Sequence, residues 1–149
     1  MGKKLKVALG SDHAGYPLKE SLKEDLKEFG LEVIDFGTNS IDSVDYPDYA
    51  KKVASGVAEG KYDKGVLVCA TGIGMSIAAN RFDNVRAALV TSDLQAEMAS
   101  KHNNANILVF GGRITSPKEA KEMLKIWLDT VYEGGRHDRR ISKIGTIKE

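Results

Sequence analysis

A strand-like apolar run ends at Cys69, and a glycine-rich turn with the sequence ATGIG follows it at 70–74. The backbone amides of such a turn point outward together, and the helix that begins after it adds partial positive charge. This pattern predicts an anion site, and a thiol beside it ionises more readily than a free thiol. A buried cysteine is more often an inert core residue, but the adjoining turn favours a reactive Cys69.

The same turn departs from two nucleotide-binding patterns. A Walker phosphate loop requires Gly-Lys-Ser/Thr, whereas Met75 follows Gly74. The dinucleotide pattern G-x-G-x-x-G has Ile77 at its third glycine position. Asp93 lies near the distance expected for a ribose-binding acid, so a nucleotide-binding module stays open as an alternative.

Two further polar pairs stand at predicted element ends. Asp12 and His13 follow the first predicted strand, where an acid beside an imidazole can orient a hydroxyl or bind a phosphate. The alternative is that Asp12 caps the next helix and that His13 is a surface residue. His102 and Asn103 follow the fourth predicted helix, where a histidine is often only a favourable cation for the helix dipole.

Arginines supply a candidate phosphate clamp. Arg113 follows the fifth predicted strand, and the segment RHDRR at 136–140 contains Arg136 and Arg140. Guanidinium groups match phosphate geometry better than lysine does, although a charge run is more often a solvated turn. The three histidines are far apart in sequence and there is one cysteine, so we expect no metal site.

The elements that must position these residues alternate along the chain. Apolar runs predict five strands at 7–9, 31–36, 65–69, 86–90 and 107–110. Helical spacing predicts helices from residue 17, from 49, around 77, at 94–101 and from 117, each following a strand. This order predicts an α/β, Rossmann-like three-layer αβα sandwich: a five-stranded parallel sheet with helices on both faces. Ligands bind at the carboxyl ends of such strands, where we expect the candidate polar residues to lie.

Composition narrows the class of protein. The 149 residues favour a single domain over 1–149, with the tail from about 136 packing on that domain or on a dimer partner. Hydrophobic residues make up 42% and the net charge is +1, which argues against a nucleic-acid partner. One cysteine, no signal-like segment and no apolar run long enough to span a membrane predict a cytoplasmic protein without a membrane partner.

Several blocks together resemble the ribose-5-phosphate isomerase type B family, which also contains galactose-6-phosphate and allose-6-phosphate isomerases. They occur in the family's order along nearly the whole chain: GSDHAG at 10–15, VIDFGT at 33–38, DYP at 45–47, CATGIGMSIAANR at 69–81, HN at 102–103, FGGR at 110–113 and YEGGRH at 132–137. Met75 and Ser76 are typical of the branch that uses a cysteine rather than a glutamate. Ala70 departs from the glycine of some members and adds only a methyl group.

The resemblance implies an enzyme that interconverts ribose 5-phosphate and ribulose 5-phosphate through a cis-enediolate. It implies that Cys69 is the base, that His102 assists ring opening, and that no metal or organic cofactor is used. It implies homodimers or dimers of dimers, with active sites shared between subunits. The residues it places around the enediolate, the sugar and the phosphate are Asp12, His13, Ala70, Thr71, Gly72, Ile73, Gly74, Asn103, Arg113, Arg136 and Arg140.

Two alternatives remain at this point. The substrate could be a six-carbon sugar phosphate, allose or galactose 6-phosphate, with the loop at 39–45 setting the choice. The chain could instead be a non-catalytic nucleotide-binding module on the same sheet, with Cys69 and His102 incidental.

Overall fold

The computed structural model describes residues 4–147, so the first three residues of the basic N-terminus and the last two of the tail lie outside it. Strands and helices alternate along the described chain: β1 (Lys6–Ser11), α1 (Tyr16–Glu28), β2 (Glu32–Asp35), α2 (Tyr46–Ala58), β3 (Lys64–Cys69), α3 (Ile73–Ala79), β4 (Ala87–Leu89), α4 (Asp93–Lys101), β5 (Ile107–Gly111), α5 (Pro117–Asp129) and α6 (Arg136–Gly145). The predicted α/β class is confirmed.

The sheet is parallel throughout and has the order β2-β1-β3-β5-β4. β3 lies at its centre, where Val66 pairs with Leu9 of β1 and with Leu108 of β5. The apolar sequence of β3 suits this position, because helices cover both faces of a parallel sheet. The strand order reverses at β1, so the crevice between β1 and β3 is the expected ligand position.

Two hydrophobic clusters fill the space between the sheet and its helices. On one face α1, α4 and α5 bury Leu22 and Trp127 against Phe110 of β5. On the other face α2 and α3 bury Val53 and Met75, and Cys69 belongs to this second cluster. The three layers predicted from the sequence are therefore present.

Local signals set most helix ends, and the start of α2 differs from the prediction. Ser92 and Ser116 cap α4 and α5, the latter in a capping box. α2 begins at Tyr46, three residues before the predicted start, because proline is tolerated in a first turn, where its missing N–H has no helical partner. The tail forms α6, which buries only His137 and leaves Ile144 53% exposed.

Candidate active site

The carboxyl edge of the sheet brings Cys69 beside the segments that follow β1 and β5. The backbone N–H of Asp12 donates to the carbonyl of Val68 at 3.2 Å, which places the backbone of Asp12 beside the end of β3. On the other side, the N–H of Gly112 donates to the carbonyl of Cys69 at 2.8 Å. Cys69 is 5% exposed and belongs to the hydrophobic cluster under α2 and α3, at the carboxyl end of β3.

The turn after β3 has the geometry of an amide-lined cradle. Gly72 has φ +82°, a conformation that residues with a side chain rarely adopt, and it caps the N-terminus of α3. The hydroxyl of Thr71 accepts a hydrogen bond from the N–H of Ile73 at 3.3 Å, which closes the turn. Arg113 is tied to the same turn, because its N–H donates to the carbonyl of Ala70 at 2.9 Å. The first amides of α3 have no intrahelical partners and suit an oxyanion.

Asp12 and His13 each make a contact that limits their freedom. Asp12 Oδ1 accepts from the N–H of Gly15 at 2.9 Å. Gly15 is itself the N-cap of α1, and among the described residues no side chain caps that helix, so the capping alternative for Asp12 is wrong. His13 Nδ1 accepts from the N–H of Val44 at 3.2 Å. A nitrogen that accepts this bond carries no proton, so the neutral ring presents its Nε2–H donor away from the loop.

A buried ion pair supports the loop behind Asp12. Lys19 is fully buried, and its ammonium contacts Asp35 Oδ1 and Oδ2 at 2.9 and 2.8 Å. Burial acts to raise the pKa of Asp35, but hydrogen bonds from Lys19, from the N–H of Gly37 and from Lys23 together lower it. Gly37 in turn accepts from the N–H of Ser11 at 2.7 Å, so this network reaches the residue before Asp12.

Tyr46 is a residue of this edge to which the sequence analysis assigned no role. Its ring covers Gly74 so closely that a Cβ at that position would lie 2.6 Å from two ring carbons. The block DYP at 45–47 was the available signal, because it matches the resembled family. An aromatic ring over the turn adds an apolar wall beside the cradle.

His102, Asn103, Arg136 and Arg140 lie at the opposite, amino-terminal edge of the sheet, contrary to the expectation that all candidates share the carboxyl edge. The physical reason is direction: α4 runs back from the carboxyl edge, so its C-cap His102 reaches the edge where β5 begins. From Lys64 to Cys69, the length of β3 separates the two edges by roughly 16 Å at ~3.3 Å per residue. One chain therefore does not assemble the complete set.

The amino-terminal edge contains its own cluster. The rings of His102 and His137 stack with centroids 4.3 Å apart and planes at 19°. Glu133 Oε1 lies 3.2 Å from His137 Nε2, and its backbone N–H donates to the carbonyl of Lys101 at 3.0 Å. The expectation that the histidines form no metal-ligand cluster is wrong, because the ligand atoms of His102, Glu133 and His137 lie close together. They meet because α5 runs back across the sheet and ends beside the end of α4.

The start of α6 is held in the same place by a further bond. The Tyr132 hydroxyl donates to Asp138 Oδ1 at 2.7 Å, and burial together with this bond raises the pKa of Tyr132 to about 12. Arg136 and Arg140 are exposed and one helical turn apart, so they share a face of α6. Two guanidinium groups on one face can grip one phosphate.

Among residues 4–147, helices long and apolar enough to cross a membrane do not occur.

The sequence matches the family described as Ribose/Galactose Isomerase over residues 7–144. Ribose-5-phosphate isomerase B of Escherichia coli is 44% identical over 144 residues, which cover 97% of each chain. The crystal structure of a ribose 5-phosphate isomerase from Thermotoga maritima superposes with a TM-score of 0.94 at 49% identity, covering 97% of this chain and all of that one. The D-erythrulose-4-phosphate isomerase of Pectobacterium atrosepticum is 39% identical over 146 residues, covering 95% of this chain and 93% of that one.

Proposed function

This chain belongs to the ribose/galactose isomerase family and is a sugar-phosphate isomerase, and we propose that it interconverts ribose 5-phosphate and ribulose 5-phosphate. The observation that carries the proposal is the position of Cys69 in the crevice at the switch of strand order. There the thiol stands between the Asp12 segment and the turn at 70–74. Relatives named for ribose 5-phosphate support this choice of substrate.

The proposed chemistry uses one base for two proton positions. The Cys69 thiolate removes the proton from carbon 2 of the open aldose, giving a cis-enediolate, and returns it to carbon 1 to give the ketose. A base held on one side of a cis intermediate can reach both carbons. The adjoining turn at 70–74 supports this role, because backbone amides at a helix N-terminus stabilise a developing negative charge.

The turn supplies the groups that stabilise the intermediate. We expect the amides of Gly72, Ile73 and Gly74, with the Thr71 hydroxyl, to donate to the developing oxyanion. Removing one such donor typically costs about 3–4 kcal/mol of barrier. Asp12 Oδ2 remains available to accept a sugar hydroxyl, since Oδ1 accepts from Gly15.

A partner subunit is proposed to complete the site. His102, Asn103, Arg136 and Arg140 lie at the amino-terminal edge, so we propose a homodimer in which one chain's amino-terminal edge covers its partner's Cys69 crevice. The partner's His102 then opens the sugar ring as acid and base. The exposed side chains of Ile144 and Ile147 on the tail support packing on a partner rather than on the chain's own core.

The phosphate is proposed to bind between the two chains. His13 presents Nε2–H from one chain, and Arg136 and Arg140 approach from the other, with Asn103 and Arg113 as further contacts. Anchoring the phosphate places the reacting end of the sugar against the thiol. The single cysteine, which allows no intramolecular disulfide, favours a cytoplasmic enzyme. The match to the family over residues 7–144 favours the expectation, implied by the resemblance, that no metal or organic cofactor is used.

A six-carbon or four-carbon substrate is the second candidate. The description of the matching family, Ribose/Galactose Isomerase, favours a six-carbon sugar, and the relative named for D-erythrulose 4-phosphate favours a four-carbon one. The loop at 39–45 is bonded to His13 through the N–H of Val44. A change in this loop would move the proposed phosphate contact relative to Cys69. Substrate length would then be set by the distance between His13 and the thiol.

The testing experiment is an isomerase assay with ribose 5-phosphate, allose 6-phosphate and erythrulose 4-phosphate side by side, with and without a chelator. We expect the highest kcat/KM with ribose 5-phosphate and no effect of the chelator. Cys69→Ala should lower kcat by at least about 10³-fold while ribose 5-phosphate still raises the melting temperature of the variant. Near-normal turnover of Cys69→Ala would exclude the thiol as the base.

The single cysteine allows a matched chemical control. Alkylation with iodoacetamide can modify only Cys69 among the thiols, so loss of activity reports on that sulfur alone. Ribose 5-phosphate should protect against this loss, whereas an adenine nucleotide should not. Protection or thermal stabilisation by nucleotide only would favour the nucleotide-binding module instead.

A further inference from the structure

We propose that His102, Glu133 and His137 form an inhibitory Zn²⁺ site at the amino-terminal edge of the sheet. The binding part of this proposal stands on geometry alone. The inhibitory part rests on the proposed function, because it requires His102 to serve in ring opening.

The fold holds the three donors together through the backbone. The N–H of Glu133 donates to the carbonyl of Lys101, the residue before His102, and this bond fixes the segment after α5 against the end of α4. The N–H of His137 donates to the carbonyl of Gly134 at 3.2 Å, which turns α6 back over the same point. The ligand atoms of the three side chains consequently lie within 4.8 Å of one another.

The donor set and spacing suit zinc. Two imidazoles and one carboxylate are a common zinc set, with bonds of about 2.0–2.2 Å, which puts tetrahedral ligand atoms about 3.3 Å apart. Glu133 Oε1 and His137 Nε2 are already 3.2 Å apart. His137 is 5% exposed and therefore positioned by packing, while Glu133 is exposed and His102 half-buried, so these two can rotate to close the remaining separation.

Metal binding requires a movement of one ring, and the donor types then select the ion. The rings of His102 and His137 lie in nearly parallel planes with centroids 4.3 Å apart, so His102 must turn out of the stack before both imidazoles can bind one ion. A hard ion such as Mg²⁺ prefers oxygen ligands and is not matched by two imidazoles. The fourth position of a tetrahedral zinc would face the exposed side of the cluster and hold water.

Binding of zinc would stop the proposed ring-opening step. The imidazole nitrogen that binds the ion has no lone pair left with which to accept a proton from the sugar. Zinc should therefore inhibit turnover of ribose 5-phosphate without binding to the Cys69 thiol. Glu133 and His137 have no assigned part in turnover, so changing Glu133 should leave the basal activity intact.

The binding test titrates Zn²⁺ into chelator-treated full-length protein with a competing zinc indicator. We expect one zinc per chain, no binding of Mg²⁺, and at least a tenfold weaker affinity in Glu133→Gln. Glu122→Gln, an exposed glutamate on α5 outside the cluster, is the matched control and should bind as the wild type. Cys69→Ala should also bind normally, which separates this cluster from the thiol.

Activity measurements then test inhibition. Zinc should inhibit the wild type and Glu122→Gln, whereas Glu133→Gln should require at least tenfold more zinc for the same loss. Equal affinity in wild type and Glu133→Gln, or loss of binding in Cys69→Ala, would overturn the site. If zinc binds to the cluster but does not inhibit turnover, the metal site is supported and the ring-opening role of His102 is refuted. The two proposals can therefore be refuted independently of each other.

Discussion

Mixing two inactive variants can establish whether each active site is built from two chains. Cys69→Ala removes the proposed base at the carboxyl edge, and His102→Asn removes the proposed ring-opening group at the other edge. Both groups must come within about 3 Å of the same sugar to act on it. Their edges are roughly 16 Å apart along β3, so one chain cannot supply both groups to one substrate.

The size of the effect follows from pairing statistics. Each variant alone should turn over ribose 5-phosphate slowly, because every site lacks one group. In a dimer that contains one chain of each kind, one site has both wild-type groups and the other has neither. Random exchange of equal amounts makes about half of the dimers mixed, so activity should recover to about one quarter of the wild-type value.

The assay uses two affinity tags and co-expression, so that mixed dimers are purified through both tags. The purified mixed dimer should have about half the wild-type kcat and a wild-type KM. The control pairs Cys69→Ala with the double variant Cys69→Ala/His102→Asn, which offers no complete site in any arrangement. A mixed dimer as inactive as its parents would refute the shared site and with it the proposed placement of His102.

Three other predictions concern stability and the turn. Lys19→Met removes a fully buried ammonium from the part-buried Asp35 and should lower the free energy of unfolding by about 3–5 kcal/mol in urea titration. Lys23→Met, which removes a partly exposed partner of the same carboxylate, should cost about 1 kcal/mol or less, and equal losses would contradict the role of burial. Burial raises the pKa of the Asp25 carboxyl in the folded protein above its value in the unfolded chain. The contribution of Asp25 to the free energy of unfolding is therefore greatest at pH values below the pKa in the unfolded chain. It falls as the pH rises through the pKa in the folded protein. Asp25→Asn should therefore be more stable than wild type at pH 7, and this gain should vanish near pH 3. Gly72→Ala introduces a Cβ 2.5 Å from Leu89 Cδ1 at φ +82°, so we expect a loss of at least about 1 kcal/mol and reduced kcat; unchanged values of both would show that the turn tolerates a side chain.

Local patterns account for the parts of the fold that could be predicted. The apolar run of β3 and the capping box at Ser116 are read from neighbouring residues, and both correspond to the observed elements. The predicted start of α2 at residue 49 is three residues late, because the apolar spacing begins there while Pro47 already occupies the first helical turn. The carboxyl-edge position of Asp12 and Cys69 followed from alternating strands and helices in a parallel sheet.

The sequence by itself determined the layers, the strand ends and the chemistry available at each, because hydrophobic period, caps and residue type are properties of short segments. Only the tertiary structure decided which of these residues meet. α4 and α5 both run back across the sheet, and so they bring His102 to His137 and Glu133 while separating His102 from Cys69. Sequence spacing could not give this result, because helix direction and the packing of distant elements set the distance between residues far apart in the chain.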